Sequence, residues 1–276
     1  MTARHRHIRQ LALPSVAIAA AAVVEAASAA GNCYPRTAQP PMAGAWVTVL
    51  EDPTTPKAAA WQDLSHQVLR SLQPGRYRVL RFDGPQPTLL LDEQIQPLPT
   101  PERISVMPIK EARRVQACLH AQTQLVRSAL TELLGSMGNQ PTSTARYSEV
   151  VGALHETLRL SARVGQHGQL FVYSDGLEHS ADGLSFYSRR APRAVTPTVE
   201  LARIPQALRQ SPVEAALRGG VTVTWYGLGA HEKKDAPYGA AAIASWREFW
   251  TGLFVQQWGL QQVQVGATVL EPMALR

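Results

Sequence analysis

Residues 170–180 read LFVYSDGLEHS. Four apolar and aromatic residues run to Tyr173 and stop at Ser174-Asp175-Gly176, after which an acid and an imidazole follow. An apolar run bounded by turn residues reads as a strand buried on both faces. Such strands belong inside a parallel sheet whose two faces are covered by helices. The abrupt change to Asp175 then marks the strand's exit, and the residue is either a turn former or a ligand.

The same pattern recurs outward from this stretch. Ala45–Leu50 and Arg76–Phe82 are short apolar strands, residues 87–96 suit an edge strand, Val221–Trp225 is β-branched and Gln262–Val269 closes the series. Helical stripes separate most of them. Trp61, Leu64, Val68 and Leu72 mark a helix over residues 57–72. Val115, Leu119, Val126 and Leu130 mark a long one over residues 110–134. Val150, Val151, Leu154 and Leu158 mark a third over residues 147–162. Ile243, Trp246, Trp250, Leu253, Phe254 and Trp258 mark the last. The Pro-rich residues 97–108 read as a loop, and residues 188–212 hold short helices at most. Strands alternating with helices predict an α/β fold, a doubly wound and mostly parallel sheet with helices on both faces.

The N-terminus has a different character. Arg4, Arg6 and Arg9 precede the apolar run LALPSVAIAAAAVV, and Ala27-Ser28-Ala29 fits a signal-peptidase site. Residues 1–29 are read as a signal peptide, 30–44 as an exposed lead-in and 45–276 as one domain. The expected protein is exported and periplasmic, with no transmembrane segment after cleavage. The chain carries 27 basic and 21 acidic residues. Loss of three arginines and Glu25 with the signal leaves a scattered surplus of about four, which gives no reason to expect a nucleic-acid partner. Two cysteines remain, Cys33 and Cys118. Export makes a disulfide between them the expected state, with two separate thiols as the alternative.

Ligands in open α/β sheets bind at the carboxyl ends of the strands. Those exits offer Glu51-Asp52-Pro53-Thr54-Thr55-Pro56, the hydroxyls of Thr142, Ser143 and Thr144, and Ser174-Asp175-Gly176. Carboxylates and hydroxyls are hard oxygen ligands suited to Mg²⁺ or Mn²⁺. Taken singly, each is equally well used as a turn or helix cap.

Here the sequence resembles a von Willebrand factor A-like domain. Asp52-Pro53-Thr54-Thr55-Pro56 follows that family's Asp-x-Ser-x-Ser loop at Asp52 and, with threonine for serine, at Thr54; Pro56 departs from it. Thr142 or Thr144 stands where the second loop offers threonine, Thr144 being nearer the following helix. Asp175 stands where the third loop offers aspartate. YGLG at 226–229 and SWREFWTGLFVQQWG at 245–259 also look like exported bacterial members, and the resemblance spans about residues 45–265. It implies a metal-ion-dependent adhesion site formed by Asp52, Thr54, Thr144 and Asp175, holding Mg²⁺ and open to a carboxylate of a protein partner. The implied function is a protein-binding module of the periplasm or envelope, of the kind that forms one part of a larger cell-envelope or mobile-element-encoded assembly. Two alternatives remain at this point: a metal-dependent hydrolase using the same carboxylates to activate water, and a scaffold whose site has decayed at Pro56.

Other signals are weaker. His231-Glu232-Lys233-Lys234-Asp235 lacks the second histidine of a zinc protease, and neither a Gly-x-Ser-x-Gly elbow nor a phosphate-binding Gly-Lys loop is present. Asp-Pro-Thr-Thr-Pro lacks the glycines of a phosphate or flavin cradle. His155 reads as packed beside its helix's apolar stripe, whereas His179 stands four residues beyond Asp175. The tryptophan stripe reads as core, and Arg189, Arg190 and Arg193 as a solvated basic cluster. No catalytic constellation is evident, so a binding module is expected rather than an enzyme.

Overall fold

A computed structural model describes residues 33–34, 45–57, 59–97, 99–143, 148–165, 167–180, 183–188, 191–230 and 238–266. Six strands form the main sheet: β1 (Ala45–Glu51), β2 (Gly75–Arg81), β3 (Thr88–Ile95), β4 (His167–Tyr173), β7 (Val221–Tyr226) and β8 (Gln262–Val265). Their order is β3-β2-β1-β4-β7-β8. All neighbours are parallel except β2 and β3, which form an antiparallel hairpin at one edge. A small ribbon, β5 (Tyr187–Ser188) with β6 (Ala191–Pro192), stands apart.

The helices are α1 (Ala59–Arg70), α2 (Pro101–Val106), α3 (Ile109–Gly138), α4 (Val150–Ala162), α5 (Pro197–Arg203), α6 (Gln206–Arg209) and α7 (Ala240–Gly252). Trp61, Leu64 and Val68 of α1 join Val126, Leu130 and Leu134 of α3 over one face, against Val47, Val49, Val79 and Phe171. The other face, with Trp46, Leu50, Leu170, Val172 and Trp225, meets α4 and α7. Alternate residues of each strand therefore serve different layers, which is why the strands are apolar without interruption. The sheet is doubly wound, as expected.

Some details differ from the sequence reading. Residues 101–106 are helical rather than a loop, because a proline at the first helical position has its φ already set and lacks only an N–H that would be unbonded. Of the lead-in, Cys33 and Tyr34 are buried rather than exposed, packed on Val115 and Leu119 of α3. A disulfide joins Cys33 to Cys118 with Cα atoms 5.6 Å apart. The signal segment, 1–29, lies outside the described residues. The helix carrying Trp246 and Trp250 does not stop at Gly252 but widens over Leu253–Gln257, where the Trp258 N–H reaches the Leu253 carbonyl at 3.0 Å. That extra residue in the turn brings Phe254 and Trp258 into the same core. Among the described residues, no helix is long and apolar enough to cross a membrane.

Strand order creates the site. The connection from β1 leads toward β2 and β3, while that from β4 leads toward β7 and β8, so the winding reverses between β1 and β4. Register makes their ends flush: Glu51 is paired with Arg81 on one side and Tyr173 on the other, and Tyr173 with Tyr226. Asp52 and Ser174 are thus the first residues beyond two adjacent central strands.

Candidate functional site

Each exit is tied to its neighbour by a backbone hydrogen bond. The Asp52 N–H donates to the Tyr173 carbonyl at 2.8 Å, and Ser174 N–H to the Tyr226 carbonyl at 3.2 Å. The first residue past each strand therefore remains inside the sheet's layers. This is why a strand built for burial can end on an acid: Asp52 is 0 % exposed and Asp175 8 %.

Asp52 reconciles charge with burial through four donors. Its Oδ1 accepts from the Thr54 N–H at 2.9 Å and the Thr54 hydroxyl at 2.5 Å. Its Oδ2 accepts from the hydroxyls of Ser148 and Ser174, each at 2.9 Å. Thr54 and Ser174 come from the two strand exits, and Ser148 from the segment leading into α4.

Asp175 is held differently. Its N–H donates to the Thr55 hydroxyl at 2.8 Å, its carbonyl accepts from Gly229 at 2.8 Å, and its Oδ1 accepts from the Leu177 N–H at 3.0 Å. Burial raises its pKa well above the ordinary carboxylate range, and the charge of Asp52 adds to the rise. Two carboxyl groups at one buried exit cannot both ionise cheaply. The phenol of Tyr187 is raised by burial and then by the charge of Asp175. Beneath Asp52, Glu51 binds Lys57 at 2.7 Å and Arg81 at 2.6 Å. Burial lowers the Lys57 ammonium's pKa against the opposing pull of Glu51.

The loop after Asp175 needs its glycine. Gly176 has φ +79, and a Cβ there would meet a Leu228 methyl at 2.4 Å. Trp250 donates its indole N–H to the Gly176 carbonyl at 3.0 Å, and Trp225 donates to the Ser174 carbonyl at 2.8 Å. The tryptophan stripe is core, and it also fixes the loop that carries Asp175.

Of the residues read from sequence, Asp52, Thr54 and Asp175 meet at this exit, while Thr144 lies outside the described residues. Ser143, beside it, donates its N–H to the Pro53 carbonyl at 2.8 Å, so the second loop does reach the first. Ser148 and Ser174 are the hydroxyls the sequence reading left off the site. Ser148 lies 96 residues from Asp52, and no local pattern reveals the contact. Pro56 supplies only its carbonyl, which accepts from the Tyr173 phenol at 2.7 Å. Thr55 ties the first loop to the third.

The discounted residues also have definite places. His179 Nδ1 is 3.0 Å from the Ser185 hydroxyl, with its ring against Tyr187. His155 packs edge-on against Trp258. Arg193 is not a solvated cation, because Glu200 holds it at 2.8 Å. Arg189, Arg190 and the 231–235 segment lie outside the described residues.

The donor set suits a hard cation: carboxylate oxygens on Asp52 and Asp175 and hydroxyl oxygens on Thr54 and Ser148, each hydroxyl keeping lone pairs beyond the one proton it donates. Among the described residues, no group of three or more His, Cys, Asp or Glu is placed to hold a metal. Any ion here would depend on hydroxyls and water as much as on charge.

No family model matches the chain, and no curated protein matches it. Among solved structures, the chain is similar to an aerotolerance-related membrane protein from Bacteroides fragilis NCTC 9343 carrying multiple mutations to serines. The two share 10% identity at a TM-score of 0.38, over 82% of this chain and 92% of that one. The architecture rests on the strand order and register described above.

Proposed function

We propose that this chain is an exported, von Willebrand A-like binding module that engages a protein partner through the exits of β1 and β4. The observation that carries this reading is the convergence of buried Asp52 and Asp175 from adjacent parallel strands at the switch point, joined by hydroxyls from separate segments. The Cys33–Cys118 disulfide supports an oxidising, extracytoplasmic location.

In this reading Asp52, Thr54, Asp175 and Ser148 hold Mg²⁺ or Mn²⁺, with Thr144 as a further ligand. The ion would neutralise the Asp52–Asp175 pair and accept a carboxylate from the partner. Affinity is modest, because Pro56 brings no hydroxyl and water must complete the shell.

A second reading has its own observation. Asp52 already accepts four hydrogen bonds, so its charge is satisfied without an ion. A metal-independent module would use the same surface as a fixed shape.

The test is capture from an exported protein fraction, with the mature chain as bait. A partner retained in Mg²⁺, and lost with a chelator or in Asp175→Asn, is the expected result. Equal retention in all three conditions would contradict the ion-dependent reading and favour the fixed surface.

A further inference from the structure

A second buried acid lies just past the site, in a different environment. Glu178 is 1 % exposed. Its Oε2 accepts from the Val151 N–H at 2.9 Å, in the first turn of α4. Its Oε1 has no hydrogen-bond partner. A buried oxygen left unsatisfied costs about 1–3 kcal/mol, and native structures keep few of them.

Glu178 also lines a cavity of about 400 Å³ that runs along α4. Pro85, from the β2–β3 turn, contributes an apolar wall, as do Leu184 and Leu208. Glu149, Glu156 and Glu178 bring three carboxyl groups to the lining, against the single guanidinium of Arg159. That guanidinium is already engaged by both oxygens of Glu156, at 2.5 and 2.7 Å. The other basic group on the wall, His155, has its pKa lowered by burial, which favours its neutral form at pH 7.

We propose that this groove binds a primary alkylammonium group, with the unpartnered Oε1 of Glu178 as its anchor and the apolar walls holding its alkyl stem. The balance of charge selects a cation over an anion. Apolar walls at Pro85, Leu184 and Leu208 beside the carboxyl groups suit an alkyl stem with a charged end, as in a free alkylamine or the lysine side chain of a partner. No residue is shared with the Asp52 site, and the inference does not depend on metal there.

Binding has a proton signature. Burial pushes the Glu178 carboxyl up to about 8, with the charges of Glu149 and Asp52 adding to the effect. At pH 7 about nine in ten molecules then carry a proton on this group. When the ammonium arrives with its own charge intact, Glu178 gives that proton to solvent and an ion pair forms. Each binding event therefore releases close to one proton at pH 7 and almost none near pH 9, where Glu178 is already ionised and the amine still protonated.

The experiment is calorimetric titration of the mature protein at pH 7, in two buffers of different ionisation enthalpy. Cadaverine serves as a free amine and Nα-acetyl-lysine amide as the side-chain mimic. Saturable binding with proton release is expected, and the tighter of the two identifies the source. Glu178→Gln keeps an acceptor for the Val151 N–H and should weaken binding at least about tenfold while abolishing the release. Three results would overturn the proposal: no saturable binding of either amine up to about 10 mM, binding without proton release, or acetate binding more tightly than both amines. The release is read on the unmodified protein, so the test stands even if the variant does not fold.

Discussion

Asp52 and Glu178 are both buried acids just past parallel strands or in the loop that follows one, yet the protein treats them differently. Asp52 has a donor for every lone pair the fold can reach, two on each oxygen. Glu178 has only the first turn of α4 beside it: the Val151 N–H bonds Oε2, the Val150 N–H lies close enough to favour the charged form, and Oε1 makes no well-formed hydrogen bond. The first lies at the switch point, where three segments converge and each can lend a hydroxyl. The second lines a cavity, where the hydrogen-bond donors that reach it come from the start of α4. A carboxylate that is fully bonded rigidifies the segments that bond it, whereas one that is half-bonded carries an uncompensated cost of burial.

That contrast breaks first at Asp52. Asp52→Ala strands the hydroxyls of Thr54, Ser148 and Ser174 in the interior, and a loss of about 4 kcal/mol is expected by urea denaturation. Glu178→Gln, by comparison, should change stability by less than about 1 kcal/mol near pH 4, where the wild-type carboxyl is protonated in both states and Gln can still accept from Val151. Equal losses would erase the distinction between the two acids.

The disulfide provides a control remote from both. Cys33→Ser with Cys118→Ser opens a loop closed over 85 residues and should cost about 3–4 kcal/mol, read as a shift in the denaturation midpoint. The raised pKa of Glu178 should be unchanged in that variant.

pH sharpens the comparison. The Glu178 pKa is raised in the folded state, so the protein binds more protons folded than unfolded between the two values. Its contribution to stability is complete below the unfolded value and is lost as pH rises toward about 8. Asp175, also raised, acts in the same direction. Glu178 alone should lower wild-type stability by up to about 3 kcal/mol from pH 5 to 8, and Glu178→Gln should remove that part of the slope and leave the part due to Asp175. A wild-type profile that rises over this range would contradict the raised values.

A smaller effect is expected at the loop between the two acids. Gly176→Ala forces a side chain into positive φ and against Leu228, at a cost of about 2 kcal/mol by thermal unfolding. Because Gly176 connects Asp175 to the Trp250 indole, this variant should also weaken any ligand held at Asp175.

Much of this was legible from residue patterns. Apolar strands such as 170–173 and stripes such as Trp246–Trp250–Leu253 depend on local periodicity, which sequence carries directly. Asp52 and Asp175 were found because the carboxyl ends of parallel strands are where ligands collect. Ser148 was not, because its bond to Asp52 exists only once α4 packs over the sheet. The burial of Glu178 was hidden for the same reason: the helix whose first turn meets its carboxyl, α4, is 27 residues away in sequence. The helix at 101–106 was concealed by prolines, which signal both loops and helix starts.

The central claim is that the β1 and β4 exits hold a hard divalent cation. Titration of Mn²⁺ into the mature protein, followed by the loss of the free-ion electron paramagnetic resonance signal, tests it most directly. One ion per chain with a dissociation constant near or below about 1 mM, displaced by excess Mg²⁺ and abolished in Asp175→Asn, is the expected result. Free-ion signal undiminished by wild-type protein up to about 10 mM Mn²⁺ would contradict it and leave Asp52 a structural carboxylate.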